Sequence, residues 1–239
     1  WKANGSGSAN TDGSISSTVS VNATSGFSIV KFTGTGSLAT VGHGLGSAPK
    51  MIIMKNTNTT NGWEVYHQSL GNTGYIQLNS TETSYSSATR WNNTSTTNNV
   101  FTVNTENGVN KSGSTLIAYC FAEKTGYSKF GSYTGNGATF DNAFVYTGFK
   151  PSLLIIKRTD TTSNWVIEDN KRAGYNQANY HLYPNLSNAE GTNYYTDFLS
   201  NGFKIRDNPA DIGASGGSYI YMAFGQSLVG SNNVPCTAR

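Results

Sequence analysis

The sequence predicts an all-β, β-sandwich-like fold, built as two tandem homologous halves of about 100 residues that follow an extended N-terminal arm. Three observations predict it. Short β-branched and aromatic runs alternate with clusters of Gly, Asn and Thr at intervals of about 8–12 residues, which is typical of sandwiches and barrels. The same runs return later in the chain in the same order. The chain has no heptad pattern and no apolar run of about 18 residues, which argues against a coiled coil and a membrane-spanning helix.

Composition narrows the class of protein further. Among 239 residues, 85 are Asn, Ser or Thr and only 12% are charged. Disorder is not expected, because 14 Tyr and 11 Phe can bury enough area to offset the entropy of the chain. The net charge of +3 is small and scattered, with no basic arm, so nucleic acid is not an expected partner.

The first 26 residues are rich in Gly, Ser, Asn and Thr and contain two short polar/apolar alternations, at 14–16 and 18–21. Such a stretch predicts an extended arm or an edge strand rather than a separate domain. The start at Trp1 shows no basic and apolar signal pattern, which indicates export without one or a fragment of a longer parent protein.

The rest of the chain repeats itself at an offset of 101–103 residues. Five blocks keep their order, which predicts a tandem duplication. The predicted organisation is an arm over 1–26, a first β repeat over 27–126, a second over 127–228 and a C-terminal tail over 229–239. Whether the repeats form one sandwich or two is open. The paired blocks are 32–36 with 133–137, 49–55 with 151–157, 63–65 with 165–167, 101–103 with 203–205, and 112–121 with 215–224.

Within each copy, the residues predict individual strands. The apolar runs 51–54 and 153–156 each follow a proline, which is tolerated at the start of a strand, and continuous apolarity predicts a strand covered on both faces. Gly46 and Gly148 precede these runs and predict turns. Residues 63–68 alternate in a way that predicts one buried face.

The repeat also separates residues that serve the fold from residues that are freer to serve function. Trp63 and Trp165 occupy matching positions, so we predict that they pack in the core. Trp91 has no counterpart and lies in a polar stretch, which makes it the best aromatic candidate for a contact surface. His43 is flanked by glycines in a loop that the second copy builds without histidine, which predicts a turn residue.

Neither a metal site nor catalysis is expected. The three histidines are scattered and show no metal-ligand spacing, and no cofactor motif is evident. A glycosidase needs two carboxylates about 5–10 Å apart, and Glu168 and Asp169 would point to opposite faces of a strand. The loop that holds Asp207 and Asp211 resembles a turn more than a catalytic pair, although a weak Ca²⁺ site there stays open. Cys120 is expected to be a small buried apolar residue, and its pairing with Cys236 is also open.

Long motifs resemble an uncharacterised domain of virion proteins from marine tailed bacteriophages. The resemblance covers nearly the whole chain, and its closing residues 237–239 are similar to the chain ends of that family. The matching motifs are WKANGSGS at 1–8, NTDGSI at 10–15, GFSIV at 26–30, VGHGLG at 41–46, GYSKFGSYTGNG at 126–137, TGFKP at 147–151, DFLSNGFK at 197–204 and YIYMAF at 219–224.

The resemblance implies the C-terminal module of a tail fibre or spike in the virion, one that recognises host-surface polysaccharide and assembles as a homotrimer with other virion proteins. It implies no catalytic residue and no cofactor. Two alternatives stay open: a structural virion protein that binds no receptor, and a polysaccharide depolymerase. The ligand residues expected first are unrepeated polar and aromatic loop residues, namely Tyr85, Arg90, Trp91, Asn92, Tyr175 and Tyr180.

Overall fold

The computed structural model describes residues 2–173 and 175–225. It forms two compact units, Trp1–Glu123 and Lys124–Arg239, each built almost wholly of antiparallel strands. The predicted all-β fold class is therefore confirmed. The predicted tail 229–239, the end of the second repeat near 228, the start at Trp1 and the thiol of Cys236 lie outside the described residues.

The first unit carries ten strands, two single-turn helices and a short 3-10 turn at Gln68–Leu70. The strands are β1 (Ser8–Asn10), β2 (Ser17–Asn22), β3 (Phe27–Thr33), β4 (Ala39–Gly42), β5 (Met51–Asn56), β6 (Glu64–His67), β7 (Gly74–Gln77), β8 (Tyr85–Ser86), β9 (Val100–Val103) and β10 (Thr115–Phe121), and the helices are α1 (Ala88–Trp91) and α2 (Asn107–Asn110).

Two layers enclose the core of the first unit. Eight strands form a sheet in the order β1-β2-β3-β10-β5-β6-β7-β8, and β4 pairs with β9 in a second, smaller sheet. Side chains that alternate along β3, β5 and β10 meet those of the smaller sheet, as alternation in a sandwich requires. The core includes Val30, Ile52 and Leu116 from the large sheet and Val41 and Phe101 from the small one.

The second unit has the same kind of architecture. One sheet runs β11-β18-β13-β14-β15, a smaller one runs β12-β17-β16, and the core again includes residues of both. The strands are β11 (Ser128–Thr134), β12 (Phe144–Tyr146), β13 (Pro151–Arg158), β14 (Trp165–Asp169), β15 (His181–Leu182), β16 (Thr196–Leu199), β17 (Gly202–Ile205) and β18 (Ser218–Gly225).

Corresponding segments of the two predicted repeats take the same places in their sheets. The order β3-β10-β5-β6 in the first unit matches β11-β18-β13-β14 in the second, and the β4–β9 pair matches β12–β17. In each small sheet the register aligns a valine with a phenylalanine, Val41 with Phe101 and Val145 with Phe203. These shared positions support the duplication, which stays a prediction from the sequence.

The arm over 1–26 contributes to the first unit directly. Its strand β2 pairs with β3 along six residues, and β1 forms the outer edge of the same sheet. Ile15 and Val19 are buried in the core, and Ile15 forms a parallel bridge with Val41 of β4. The arm thus covers an edge of the small sheet as well as extending the large one.

The expected turn glycines are confirmed, because Gly46 has φ of 67° and Gly148 has φ of 83°, where a side chain would be strained. The burial of two strands differs from expectation. All four residues of β6 are buried, Glu64 included, so the prediction of a single buried face is wrong there. The apolar neighbours of Glu64 do not explain why its carboxylate is buried. The explanation is an ion pair with a buried arginine, described below.

The two proline-led strands are less covered than continuous apolarity predicted. Met51, Ile52 and Met54 are buried, but Ile53 is only half-buried. In the second unit, Leu153 and Ile155 are likewise half-buried. Apolar sequence alone cannot distinguish a side chain that is fully covered from one at the margin of a covered face.

No helix in the described ranges is long and apolar enough to cross a membrane.

Candidate functional site: a tyrosine-lined groove

A small groove lies where β7 and β8 pair at the far end of the eight-stranded sheet. Tyr75 and Tyr85 stand directly opposite each other, with ring centroids 5.8 Å apart and planes tilted by 31°. Together with Gln77, Glu82 and Thr83 they line a cavity of about 70 Å³. A recess of this volume has room for only a few water molecules. The groove is therefore a shallow surface beside aromatic rings rather than an enclosing pocket. We call these five residues the tyrosine groove.

A buried ion pair supports the groove from beneath. Glu64 of β6 and Arg90 of α1 meet with 2.8 Å between Oε2 and Nε, and their side chains are 2% and 10% exposed. The amide of Gln77 donates to the other carboxylate oxygen of Glu64 at 2.8 Å. A second carboxylate, Glu106, lies 3.8 Å from the guanidinium. Burying the charge of Glu64 is tolerated because a cation and a hydrogen-bond donor both face it.

Arg90 also fixes one wall of the groove. Its guanidinium carbon lies 3.4 Å from the centre of the Tyr75 ring, within the range of a cation–π contact. The opposite wall, Tyr85, is 47% exposed. The groove thus combines a ring held rigidly from below with a ring that is open to solvent.

The rim of the groove carries a carboxylate. Tyr85 donates its hydroxyl proton to Oε2 of Glu82 at 2.9 Å. This hydrogen bond to an acidic neighbour raises the pKa of Tyr85, so the phenol keeps its proton and stays a donor. A ring face next to a charged acceptor is a combination that suits a polyhydroxylated ligand, whose C–H bonds contact the ring while its hydroxyls donate to the carboxylate.

Local sequence explains how a four-residue helix holds Arg90 in place. Ser87 caps α1 by accepting from the amide of Thr89. At the other end, Asn92 adopts a left-handed conformation with φ of 53°, and its side chain accepts from Asn104 at 3.2 Å. Both ends of the helix are therefore fixed by short polar side chains, a role that Ser and Asn commonly fill.

The structure corrects the expectation for Trp91. Its side chain is 2% exposed, packs edge-on against Tyr66, and donates its indole N–H to the carbonyl of Gly74 at 3.1 Å. The polar sequence around Trp91 predicted a loop, but Trp91 lies in the short helix α1, which turns its indole ring into the core. Trp91 is a core residue. Arg90 is buried as well and supports the groove without facing solvent.

The remaining predicted ligand residues do not gather in one place. Asn92 serves the turn after α1, as described above. Tyr175 and Tyr180 belong to the second unit, and there Tyr175 is 81% exposed while Tyr180 is half-buried. Of the six predicted residues, Tyr85 lines the tyrosine groove and Arg90 supports it from beneath.

The prediction that both repeated tryptophans pack in the core is confirmed for Trp165, which is buried in the second unit. It is wrong for Trp63, which is half-buried and stacks on Tyr119 with ring centroids 6.4 Å apart. His43 serves its loop: its Nδ1 accepts from the amide of Leu45, and its Nε2 lies 3.1 Å from the carbonyl of Thr97. Burial lowers the pKa of His43, which keeps the ring neutral.

Sequence reasoning missed Glu64, Tyr75, Gln77 and Glu82. A signal for Glu64 was present, because the second repeat has Val166 at the matching position, and an unrepeated charge in a strand invites a functional or pairing role. No comparable signal marked Tyr75, Gln77 or Glu82. Their proximity depends on how β7 folds back on β6 and β8.

Asp211 of the second unit is buried and hydrogen-bonded within the protein. Asp211 is 8% exposed; it accepts from the hydroxyls of Tyr194, at 2.6 Å, and Ser163, and from the amide of Asn164. Both carboxylate oxygens of Asp211 therefore already accept hydrogen bonds from the protein, which argues against the weak Ca²⁺ site that the sequence left open. Within ranges 2–173 and 175–225, no three His, Cys, Asp or Glu residues come together to hold a metal ion.

Cys120 is buried and forms no disulfide with any cysteine that the structure describes, and burial raises the pKa of its thiol.

A family model with the description "Domain of unknown function (DUF7483)" matches residues 1–227. No curated protein and no solved structure matches the chain.

Proposed function

We propose that this chain, which belongs to the DUF7483 family of domains of unknown function, is a glycan-binding module of a bacteriophage tail fibre or spike that recognises host-surface polysaccharide. The tyrosine groove is the proposed contact surface. The observation that carries the proposal is the exposed ring of Tyr85, paired with a ring that Arg90 immobilises and hydrogen-bonded to the carboxylate of Glu82.

The shape and charge of the groove fit a surface polymer better than a small metabolite. A pocket for a small molecule encloses several hundred cubic ångströms, whereas this recess is about 70 Å³. A long glycan gains affinity by lying across a shallow aromatic surface at several sugar units. The low charge of the chain also makes such binding tolerant of salt. The expected place of the module in a virion comes from the sequence motifs.

We expect Tyr85→Ala to weaken glycan binding about tenfold, because the exposed ring supplies the stacking surface. Tyr85→Phe keeps the ring and removes only the hydroxyl, so its affinity should stay within about threefold of the parent. Binding is measured on an array of purified bacterial capsular and lipopolysaccharide glycans, followed by titration calorimetry on the polysaccharide that the parent chain retains.

Leu38→Ala is the matched control, since Leu38 is a 58% exposed apolar side chain of the same unit that does not line the groove. Equal binding by the parent and Tyr85→Ala would contradict the assignment of the groove. If the parent retains no glycan but associates with other virion chains, a structural virion protein is the better account. Release of new reducing ends from the bound polysaccharide would instead indicate a depolymerase.

A further inference from the structure

One strand of the second unit ends its sheet with an open edge. β12 is the outer strand of β12-β17-β16 and pairs only with β17 there, in a register that sets Val145 opposite Phe203. The amide of Thr147 donates to Asn201, and that of Ile205 donates to Ala143, so the odd-numbered residues face β17. The backbone N–H and C=O groups of Phe144 and Tyr146 therefore point away from the sheet.

The corresponding edge of the first unit is closed by the arm. There the outward groups belong to Thr40 and Gly42 of β4. The amide of Ile15 donates to the carbonyl of Thr40, the amide of Thr40 donates to the hydroxyl of Ser14, and the hydroxyl of Ser17 donates to the carbonyl of Gly42. An edge strand without such cover is a template for pairing with another chain.

In the part of the second unit that the structure describes, no segment is equivalent to this arm, since β11 begins only four residues after Lys124, where the unit starts. Within the two described ranges, no hydrogen bond reaches the outward groups of Phe144 and Tyr146. An arm like the first one would not fit either. Asn10 of the arm lies where a Cβ on Gly42 would be, and β12 carries the ring of Tyr146 at the matching place.

The side chains of β12 also differ from those of β4. Phe144 and Tyr146 are 48% and 64% exposed and share one face of the strand, while Val145 between them is buried. On the neighbouring strand, Gly202 stands opposite Tyr146 and leaves room for the ring of Phe144, whose Cε2 would lie 3.1 Å from an added Cβ. Two aromatic rings thus lie beside an unsatisfied backbone edge.

We propose that β12 is a pairing edge for a second copy of this chain, in which two β12 strands run antiparallel about a two-fold axis through Val145. A second copy is the expected partner because this edge is complementary to itself. This register places Phe144 of one copy opposite Tyr146 of the other, and both residues direct their backbone groups outward. Each such pair exchanges two backbone hydrogen bonds, so the two pairs form four hydrogen bonds between the copies.

The pairing also covers the exposed rings. In a continuous antiparallel sheet, the four rings of the two copies lie on one face, and each Phe144 neighbours the partner's Tyr146 as a cross-strand aromatic pair. Three residues per strand bury less than the roughly 1,200 Å² of a stable interface. The association is therefore reversible and depends on concentration.

Two-fold pairing differs from the homotrimer that the resemblance to phage virion proteins implies. The trimer rests on analogy, whereas the dimer rests on the outward hydrogen-bonding groups and the register of β12. The inference does not depend on glycan binding, so the two can fail separately: loss of pairing leaves the tyrosine groove in the first unit unchanged.

The first test is the mass of the parent chain by analytical ultracentrifugation across a range of concentrations. We expect a monomer–dimer equilibrium. A chain that stays monomeric at the highest concentration, or that forms trimers, overturns the proposal. Tyr146→Lys places a charge in the edge and should abolish the dimer, while Tyr175→Lys, a change at another exposed tyrosine of the same unit, should leave it intact. Circular dichroism checks that both variants fold.

The second test measures the register by cross-linking in a Cys236→Ser background. Residues directly opposite in a hydrogen-bonded pair have Cα atoms about 5.5 Å apart, which permits a disulfide, whereas the 144–144 and 146–146 pairs are diagonal and too distant. A mixture of Phe144→Cys and Tyr146→Cys chains in a glutathione redox buffer should give a covalent dimer, and each variant alone should not. Equal cross-linking by a single variant, or none by the mixture, overturns the proposed register.

Discussion

Replacing Arg90 by methionine should lower the free energy of unfolding by about 3–5 kcal/mol, because the carboxylate of Glu64 would remain buried without its cation. Methionine fills much of the space of the arginine side chain, so the loss reports mainly on the charge. Glu64 is 1% exposed, and among the described residues the amide of Gln77 is the hydrogen-bond donor that it keeps in this variant. Urea denaturation followed by circular dichroism measures the change.

Two further variants isolate the cause. The double variant Glu64→Leu/Arg90→Met removes both charges and should recover a large part of the loss, as replacing a whole buried ion pair often does. Lys204→Met breaks the exposed pair with Asp141, whose side chain is 86% exposed, and should change the stability little. If Arg90→Met costs no more than Lys204→Met, the ion pair beneath the tyrosine groove is not a structural support.

Changing Glu168 to glutamine should remove a loss of stability that the parent protein suffers as the pH rises from about 4.5 to 7. Burial raises the pKa of Glu168 to about 7, while Thr196 and Arg172 oppose this shift and Asp169 adds to it. The unfolded chain loses this proton near pH 4.5 and the folded chain near 7, so the folded state binds more protons between these values. The free energy of unfolding therefore falls as pH rises through this window, by about 3 kcal/mol in full.

Glutamine resembles the neutral acid and does not titrate. We expect Glu168→Gln and the parent to have similar free energies of unfolding at pH 4.5. At pH 8 the variant should be more stable than the parent by about 3 kcal/mol, after subtraction of any difference at pH 4.5. Burial lowers the pKa of His181, which destabilises the folded state as pH falls below about 6.5, but this effect is common to both chains. Parallel stability curves from pH 4.5 to 8 would show that Glu168 is ionised throughout in the folded state.

The sequence predicted the strands well because their signals are local. A proline-led apolar run, a glycine before it and a polar cluster after it are all read within about ten residues, and β5 and β13 lie where these signals placed them. The burial of Trp165 was predicted because a tryptophan recurs in both repeats, but the same reason failed for Trp63, which is half-buried.

The candidate site could be predicted only in part. Tyr85 was identified as an unrepeated aromatic residue, and it is exposed at the groove. Trp91 satisfied the same criterion and is buried, because the four-residue helix α1 turns its ring toward Tyr66. Exposure depends on the direction of a side chain, and a short helix within polar sequence gives little indication of that direction.

By itself, the sequence determined the all-β class, the order of the strands along the chain, the turn glycines and the recurrence of one pattern in two copies. Only the tertiary structure decided which edges are closed and which charges are buried. The arm closes the edge of β4 while β12 stays open, and Glu64 meets Arg90 from 26 residues away. The physical reason is range: turns and strand propensities act between neighbouring residues, whereas edge pairing and ion pairing join residues that only the folded chain brings together.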